Sequence, residues 1–181
     1  MGFLVDMRLF IAIDFNNLQD YFVELQELLP KNARLSYTKA FHLTLKFLGE
    51  VRPDKVEGII EVIRKIKFQQ FTVFIDSIGI FPSENYIKVV WVGLKPENKV
   101  LELQKSIDES LKGLFKKEKD FKPHITLARV KYTKDKKQFL EQLNKIKVEN
   151  KKIEINDFRL IKSTLTPKGP IYEDFGVFEL L

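Results

Sequence analysis

The chain has 181 residues, of which 44% are hydrophobic, so it is long enough for one well-buried core and short for two independent domains. It contains no cysteine, which excludes disulfides, thiolate nucleophiles, zinc knuckles and iron–sulfur ligation. Lysine and arginine outnumber aspartate and glutamate by 31 to 25, and the resulting net charge of +6 favours a polyanionic partner.

No apolar run approaches the roughly 18 residues that span a bilayer, and the start MGFLVDMRLF lacks the basic region and long apolar stretch of a secretory signal. We therefore expect a soluble, cytoplasmic, monomeric protein without membrane contact. The first strand-like run begins at Met7, so residues 1–6 form an unpatterned prefix that we expect to be dispensable.

Hydrophobic periodicity predicts three strands and two helices in the first half of the chain. The strands are 8–14, 41–51 and 71–81; one helix ends before Pro30 and the other begins near Pro53. The second half repeats this order with strands 86–94, 122–130 and 151–165, and with helices whose apolar residues run from Val100 to Leu114 and from Phe139 to Ile146. A last strand, about 171–179, follows the repeat.

The repeat predicts an internal duplication within a single domain spanning 1–181, with halves of about 7–81 and 86–165. Strands 71–81 and 86–94 are joined by a short Pro-Ser-Glu-Asn turn, which indicates a hairpin and hence antiparallel pairing. We therefore predict an α+β fold with two lobes related by a pseudo-two-fold axis. Two mostly antiparallel sheets would line a central cleft, with the helices outside.

The two histidines of the chain occur in the same four-residue phrase, His42-Leu43-Thr44-Leu45 and His124-Ile125-Thr126-Leu127. Side chains alternate along a strand, so each histidine and the threonine two positions later project from one face. The duplication places the phrases on opposite walls of the cleft. Each wall would then present one imidazole beside one hydroxyl.

Two imidazoles facing each other provide a general acid and a general base at neutral pH. Cleavage of a phosphodiester needs both, because one histidine activates water and the other protonates the leaving oxygen. The hydroxyls of Thr44 and Thr126 can donate hydrogen bonds to the non-bridging phosphate oxygens. This scheme needs no metal and no cofactor, and a strained 2′,3′-cyclic phosphate is an apt substrate.

Two basic residues near the phrases are further candidates for binding phosphate. Lys46 follows His42 by four positions, on the same face by parity. Arg129 follows His124 by five, which strict alternation turns to the opposite face, so only a bulge or a strand end would bring it to the cleft.

Other interpretations of the residues stay open. One is that both histidines are structural. Another is a two-histidine metal site, although this lacks a carboxylate on the same strand face, where Lys46 and Ala128 stand instead. A third is a different substrate, a small nucleotide such as a cyclic phosphate of ADP-ribose. The last is an RNA-binding module without catalysis, which stacks bases on Tyr37, Phe81 and Tyr86.

At these phrases the sequence resembles the 2H phosphoesterases, specifically the RNA 2′,3′-cyclic phosphodiesterases historically called 2′-5′ RNA ligases. The resemblance is carried by the segments MRLFIAID, FHLTLKFLGE, FKPHITLAR and LIKSTLTPKGPIYE, the last with Ser163, Gly169 and Tyr172. The resemblance implies a bilobal fold and opening of the cyclic phosphate at RNA ends, for instance of tRNA fragments, to a 2′-phosphomonoester. It also implies that some members run the reverse 2′-5′ joining reaction.

The resemblance further implies a role for each candidate residue. His42 would be the proton donor to the 3′ oxygen and His124 the proton acceptor. Thr44 and Thr126 would bind phosphate, and Arg129 matches a basic residue that often follows the second phrase. No nucleotide-binding glycine loop occurs, so joining would draw on the cyclic phosphate itself.

Overall fold

The computed structural model describes residues 5–181, so most of the prefix expected to be dispensable lies outside the described residues. Four α-helices lie within this part of the chain, preceded by a 3₁₀ turn at Asn16–Leu18. The helices are α1 (Gln19–Leu28), α2 (Pro53–Arg64), α3 (Asn98–Ser110) and α4 (Lys136–Leu143). No helix between residues 5 and 181 is both long and apolar enough to cross a bilayer.

Nine strands in the described chain form two antiparallel sheets, with strand orders β3-β1-β8-β9 and β2-β6-β5-β4-β7. The strands are β1 (Met7–Asp14), β2 (Ala33–Tyr37), β3 (His42–Val51), β4 (Phe71–Ser83), β5 (Tyr86–Lys95), β6 (Ile125–Thr133), β7 (Lys152–Ile155), β8 (Asp157–Thr166) and β9 (Gly169–Glu179). The predicted α+β class with two antiparallel sheets is confirmed, as is the β4–β5 hairpin.

The sheets do not coincide with the two halves of the sequence. The third repeated strand of each half pairs with the first strand of the other half, because β4 pairs with β5 and β8 pairs with β1. The result is two equivalent three-stranded units, β3-β1-β8 and β6-β5-β4. This reciprocal exchange ties the two halves together through backbone hydrogen bonds.

The two faces of β1 explain how the sheet separates core from cleft. Leu9, Ile11 and Ile13 are fully buried in the main core, together with the apolar stripes of all four helices. Phe10 and Ala12 point the other way and form a small separate cluster with Ile161. An alternating strand with apolar residues on both faces is expected where helices cover one face and a second wall approaches the other.

Several predicted elements differ from the observed ones, and one observed strand is absent from the prediction. The short edge strand β2 went unpredicted, because it lacks an apolar alternation: its residues are exposed or half-buried. The predicted strand 151–165 is two strands, since β7 pairs with β4 whereas β8 pairs with β1. The helix predicted to reach Leu114 ends at Ser110, and Leu114 is exposed.

Candidate active site

Both His-x-Thr phrases lie where the two sheets face each other. His42 opens β3 and His124 immediately precedes β6. Thr44, Thr126 and His42 line a cavity of about 500 Å³. His124 lines an adjoining hollow of about 350 Å³, which shares Thr44 and Phe47 with the first. The two phrases therefore border one cleft, as the duplication predicted.

Each phrase is followed by a β-bulge at the same position. Thr44 pairs with Ala12 and Lys46 with Ile11, so Leu45 has no partner on β1. In β6, Leu127 is likewise skipped in the register with β5. A bulge inserts one residue and reverses the alternation beyond it. The residues at the fifth position after each histidine, Phe47 and Arg129, consequently line the cleft.

The two bulges determine on which side of the sheet Arg129 and Lys46 lie. Arg129, which strict alternation turns away, lines the 500 Å³ cavity beside Thr126. Lys46 turns inward instead, and its side chain is only 1% exposed. Its ammonium bonds Asp108 and the carbonyl of Lys116. The parity argument that puts the Lys46 ammonium on the cleft face is therefore wrong, because it extends strand alternation through a bulge, although the residue still borders the hollow beside His124.

His42 lies in a pocket of aromatic rings beside a carboxylate. Its ring is edge-on to Tyr172 at 5.0 Å and to Phe10 at 5.7 Å. Its Nε2 lies 3.7 Å from Oδ1 of Asp14. Burial lowers the pKa of His42 below its usual value, and Asp14 opposes this because a carboxylate favours the imidazolium.

His124 has a different environment. Its Nδ1 lies 2.8 Å from the carbonyl oxygen of Lys122. A carbonyl only accepts, so Nδ1 carries the proton and Nε2 of the neutral ring holds the free lone pair. The ring is edge-on to Phe81 and Trp91. Burial lowers the pKa of His124 as well, with the Lys122 carbonyl opposing.

The two halves differ at the residue that lies opposite each histidine on the neighbouring strand. Asp14 pairs with His42 in the register of β1 and β3. In the second half, Val92 pairs with Ile125, so the residue that follows it, Gly93, corresponds to Asp14. Glycine provides no carboxylate. His42 thus has an anionic neighbour that His124 lacks, and the two imidazoles are chemically distinct.

Sequence reasoning missed the charged network behind His42. Arg159 lies 3.3 Å from Asp14, and its guanidinium also bonds Asp157 and Asp174. Asp14 shares the cleft face of β1 with Phe10, so a carboxylate at the end of this apolar strand was the available signal. Arg159 could not be found in this way. It lies near Asp14 only because β8, a strand of the second half of the sequence, pairs with β1 of the first half.

The first cavity also contains the residues of the C-terminal pattern. Ser163, Gly169 and Tyr172 all line it, together with Lys39 and Lys168. Burial raises the pKa of Tyr172, while Arg129 and Arg8 oppose this, so the phenol stays protonated at neutral pH. This part of the cleft is consequently a cationic, aromatic surface.

The three aromatic residues proposed for stacking have different positions. Tyr37 lines the first cavity and Phe81 the second hollow. Tyr86 is exposed, and the ammonium of Lys88 lies 4.5 Å from its ring centroid. Two of the three therefore border the cleft.

Two sheets that face each other across a cleft, with one His-x-Thr phrase on each wall, match the architecture that the resemblance to 2H phosphoesterases implies. The family model described as LigT like Phosphoesterase matches residues 13–91 and 92–172. The chain belongs to this family.

Relatives and solved structures agree with this assignment. An RNA 2′,3′-cyclic phosphodiesterase of Methanocaldococcus jannaschii is 40% identical over 171 residues, which covers 92% of this chain and 97% of that protein. Another of that name from Archaeoglobus fulgidus is 38% identical over 180 residues, covering 96% and 100%. A Thermus thermophilus structure has a TM-score of 0.78 at 25% identity, covering 96% and 97% of the two chains. Escherichia coli LigT without ligand has a TM-score of 0.77 at 22% identity, covering 97% and 98%, and shows the fold alone.

Proposed function

We propose that the chain hydrolyses the 2′,3′-cyclic phosphate at RNA ends to a 2′-phosphomonoester. The names of the relatives support this substrate, since both are called RNA 2′,3′-cyclic phosphodiesterases. The net charge of +6 and the cationic side chains of Arg8, Lys39, Arg129 and Lys168 around the first cavity suit a phosphate-bearing ligand.

The observation that carries the mechanism is the difference between the two histidines. His124 donates from Nδ1 to a carbonyl, so its Nε2 is available to accept a proton. His42 lies beside Asp14, which stabilises the protonated ring. We therefore assign His124 as the general base and His42 as the general acid.

In the proposed reaction His124 takes a proton from water as the water oxygen attacks phosphorus. The bond from phosphorus to the 3′ oxygen breaks, and His42 gives its proton to that oxygen. Thr44 and Thr126 donate hydrogen bonds to the non-bridging oxygens, where negative charge accumulates in the transition state. Arg129 balances the charge of the phosphate. All protons are supplied and removed by the two histidines, so the scheme requires no metal or cofactor.

The 2′-5′ joining reaction follows the same path with a 5′-hydroxyl in place of water. The hollow beside His124 has a volume of about 350 Å³, which far exceeds the roughly 30 Å³ that one water occupies. A terminal nucleoside fits this space by volume. Water at its usual concentration competes strongly, so hydrolysis should dominate.

The direct test is incubation of an RNA ending in 2′,3′-cyclic phosphate with the protein in EDTA, followed by analysis of the product. A 2′-phosphate supports the proposed polarity. A 3′-phosphate would reverse the roles of the two bridging oxygens. Turnover that disappears in EDTA would contradict the metal-independent scheme.

Two alternatives are separated by substrate comparisons. If a mononucleotide or ADP-ribose cyclic phosphate turns over faster than an RNA oligomer with the same end, the small-nucleotide function is correct. If RNA binds and no cyclic phosphate turns over, the chain is an RNA-binding module. The Asp14–His42 pair favours catalysis, since binding alone has no need of two differently tuned imidazoles.

A further inference from the structure

Lys46 and Asp108 form an ion pair that the proposed mechanism does not use. Both side chains are 1% exposed, and Nζ of Lys46 lies 2.5 Å from Oδ1 of Asp108. Removing two charges from water is expensive, so replacing such a pair by apolar residues is often neutral or stabilising. A buried pair is therefore weak evidence for stability, and its geometry deserves a separate explanation.

The pair joins three parts of the chain. Lys46 belongs to the bulge of β3, and Nζ also donates to the carbonyl of Lys116 at 2.6 Å. Asp108 lies on α3, and its Oδ2 accepts from Nε2 of Gln104 at 2.8 Å and from the amide of Glu118 at 3.1 Å. Burial alone would raise the pKa of Asp108, but these hydrogen bonds outweigh it and lower the pKa, so the carboxylate stays charged.

The segment held by this pair leads to His124. Residues 116–122 connect α3 to β6, and Glu118, Lys119, Asp120, Phe121 and Lys122 line the hollow beside His124. The carbonyl of Lys122 accepts the hydrogen bond from His124 that fixes its ring. A contact at residues 116 and 118 therefore sets the position of the base relative to Thr44, two residues before Lys46.

We call the buried hydrogen bonds of Lys46 and Asp108 a tie, because they join separate segments of the chain. The other half of the molecule contains an equivalent tie made of neutral groups. Gln26 on α1 is 6% exposed, and its Nε2 donates to the carbonyls of Thr38 and Leu127 at 2.8 Å each. Leu127 is the bulge residue of β6, and Thr38 lies in the segment that precedes His42. Each tie thus links a helix, the bulge after one histidine and the segment before the other.

These ties account for most of the buried polar side chains. Residues 5–181 contain five buried polar or charged side chains: Gln26, Lys46, Gln104, Asp108 and Ser163. All except Ser163 belong to the two ties. Buried polar groups are concentrated at equivalent points of the duplication, each between the bulge of one phrase and the segment before the other histidine.

We propose that Lys46 and Asp108 are positioning residues that fix the 116–122 segment, and through it the base His124, against the phosphate-binding strand β3. The inference rests on the proposed function, since it takes His124 to be the base. The Lys46 ammonium acts from the core, where it contacts Asp108 and the Lys116 carbonyl, while the residue itself borders the hollow beside His124. Its counterpart Ala128 leaves the other tie to Gln26.

The test compares two double variants that both remove the charges. Lys46→Met/Asp108→Leu removes the tie and leaves the core apolar, whereas Lys46→Gln/Asp108→Asn keeps hydrogen-bonding groups, as Gln26 does. We expect the apolar variant to retain Tm and to lose about 10- to 100-fold in kcat, because small displacements of a catalytic group are costly. The amide variant should recover at least half of that loss on a logarithmic scale.

The dependence of kcat/KM on pH separates a positioning role from a general loss of stability. A general loss of stability would lower activity without moving either limb of the profile. The acid limb of kcat/KM, which reports His124, should shift to lower pH in the apolar variant, since the Lys122 carbonyl raises the pKa of that ring by more than the Lys122 ammonium lowers it. The alkaline limb should stay. Lys99→Gln/Glu102→Gln removes an exposed ion pair on the same helix and should change neither limb nor kcat. An apolar variant with wild-type kcat and both limbs unmoved would overturn the proposal.

Two further measurements keep the proposal testable if a variant misfolds or the parent is inactive. If the apolar double variant does not fold, Asp108→Asn alone decides, and an unmoved acid limb in it would count against the tie. If the parent turns over no cyclic phosphate, the proposed function fails. Amide hydrogen exchange then tests the tie directly: residues 116–122 should exchange at least 10-fold faster in the apolar variant or in Asp108→Asn, and unchanged exchange would overturn it.

Discussion

Oδ1 of Asp14 lies 3.7 Å from Nε2 of His42, whereas the residue of β5 that corresponds to Asp14, one position after Val92, is Gly93. This difference, together with the bond from His124 to the Lys122 carbonyl, separates two imidazoles that the duplication would otherwise make equivalent. A carboxylate stabilises the protonated ring, so the pair explains why the proposed acid lies on the β3 wall.

Asp14→Asn should weaken the acid while leaving the base intact. Asp14 raises the pKa of His42 against the lowering by burial, so its removal lowers the pKa further. The alkaline limb of kcat/KM should move to lower pH, with a loss of about 3- to 10-fold at pH 7. Asp76→Asn is a suitable control, since Asp76 pairs with the exposed Lys95. An alkaline limb that stays in place would show that Asp14 does not tune His42.

The parent protein should have a bell-shaped profile of kcat/KM against pH, with its maximum on the acid side of about 6.5. Burial lowers the pKa of both histidines, so both limbs shift in the same direction. The reaction needs His42 protonated and His124 neutral, and the profile peaks between their pKa values. A maximum above pH 7.5 would contradict this account of the two rings.

Arg129→Met should raise KM about 10-fold or more and reduce the dependence of KM on salt. The β6 bulge brings Arg129 to the cavity that Thr126 also lines, where the proposed function places the substrate phosphate. Arg34→Met, on the edge strand β2, serves as the matched control for loss of one positive charge. Equal effects of the two substitutions would indicate that only net charge matters.

Gly79→Ala should destabilise the fold by about 1–3 kcal/mol and reduce kcat, because a Cβ there would overlap the ring of Trp91. Trp91 packs beside His124, with ring centroids 6.2 Å apart. Gly58→Ala in α2 has open space and should instead stabilise by about 0.5–1 kcal/mol. Chemical denaturation and turnover assays measure both effects. Equal stability of the two variants would contradict the packing described here.

The sequence was sufficient for the class of fold, because hydrophobic period and turn residues report each strand and helix locally. It also located both histidines, since their phrases repeat with the duplication. The pairing of strands carries information that local patterns lack. Strands β4 and β8 each pair with the first strand of the other half, and this pairing brings Arg159 to Asp14. Both arrangements arise from contacts between segments that are distant in the sequence.

Lys46 shows most clearly why the direction of a side chain could not be predicted from the sequence alone. The prediction counted positions from His42, and one unpaired residue, Leu45, reversed the count. For Arg129 the sequence predicts a place in the cleft only if a bulge reverses the alternation, and β6 contains that bulge. Nothing in a Thr-Leu-Lys or Thr-Leu-Ala sequence marks a bulge, since its cause is the register with the neighbouring strand.

The most direct test of the central claim replaces the 3′ oxygen of the cyclic phosphate by sulfur. A thiolate leaves without protonation, because a thiol has a pKa of about 8.5 and an alcohol a far higher one. His42→Ala should lose about 10²- to 10⁴-fold on the oxygen substrate and recover most of this on the 3′-thio substrate. His124→Ala should show the same loss on both. Recovery of His124→Ala in place of His42→Ala would reverse the assignment, and full activity of either variant on the oxygen substrate would refute the two-histidine mechanism.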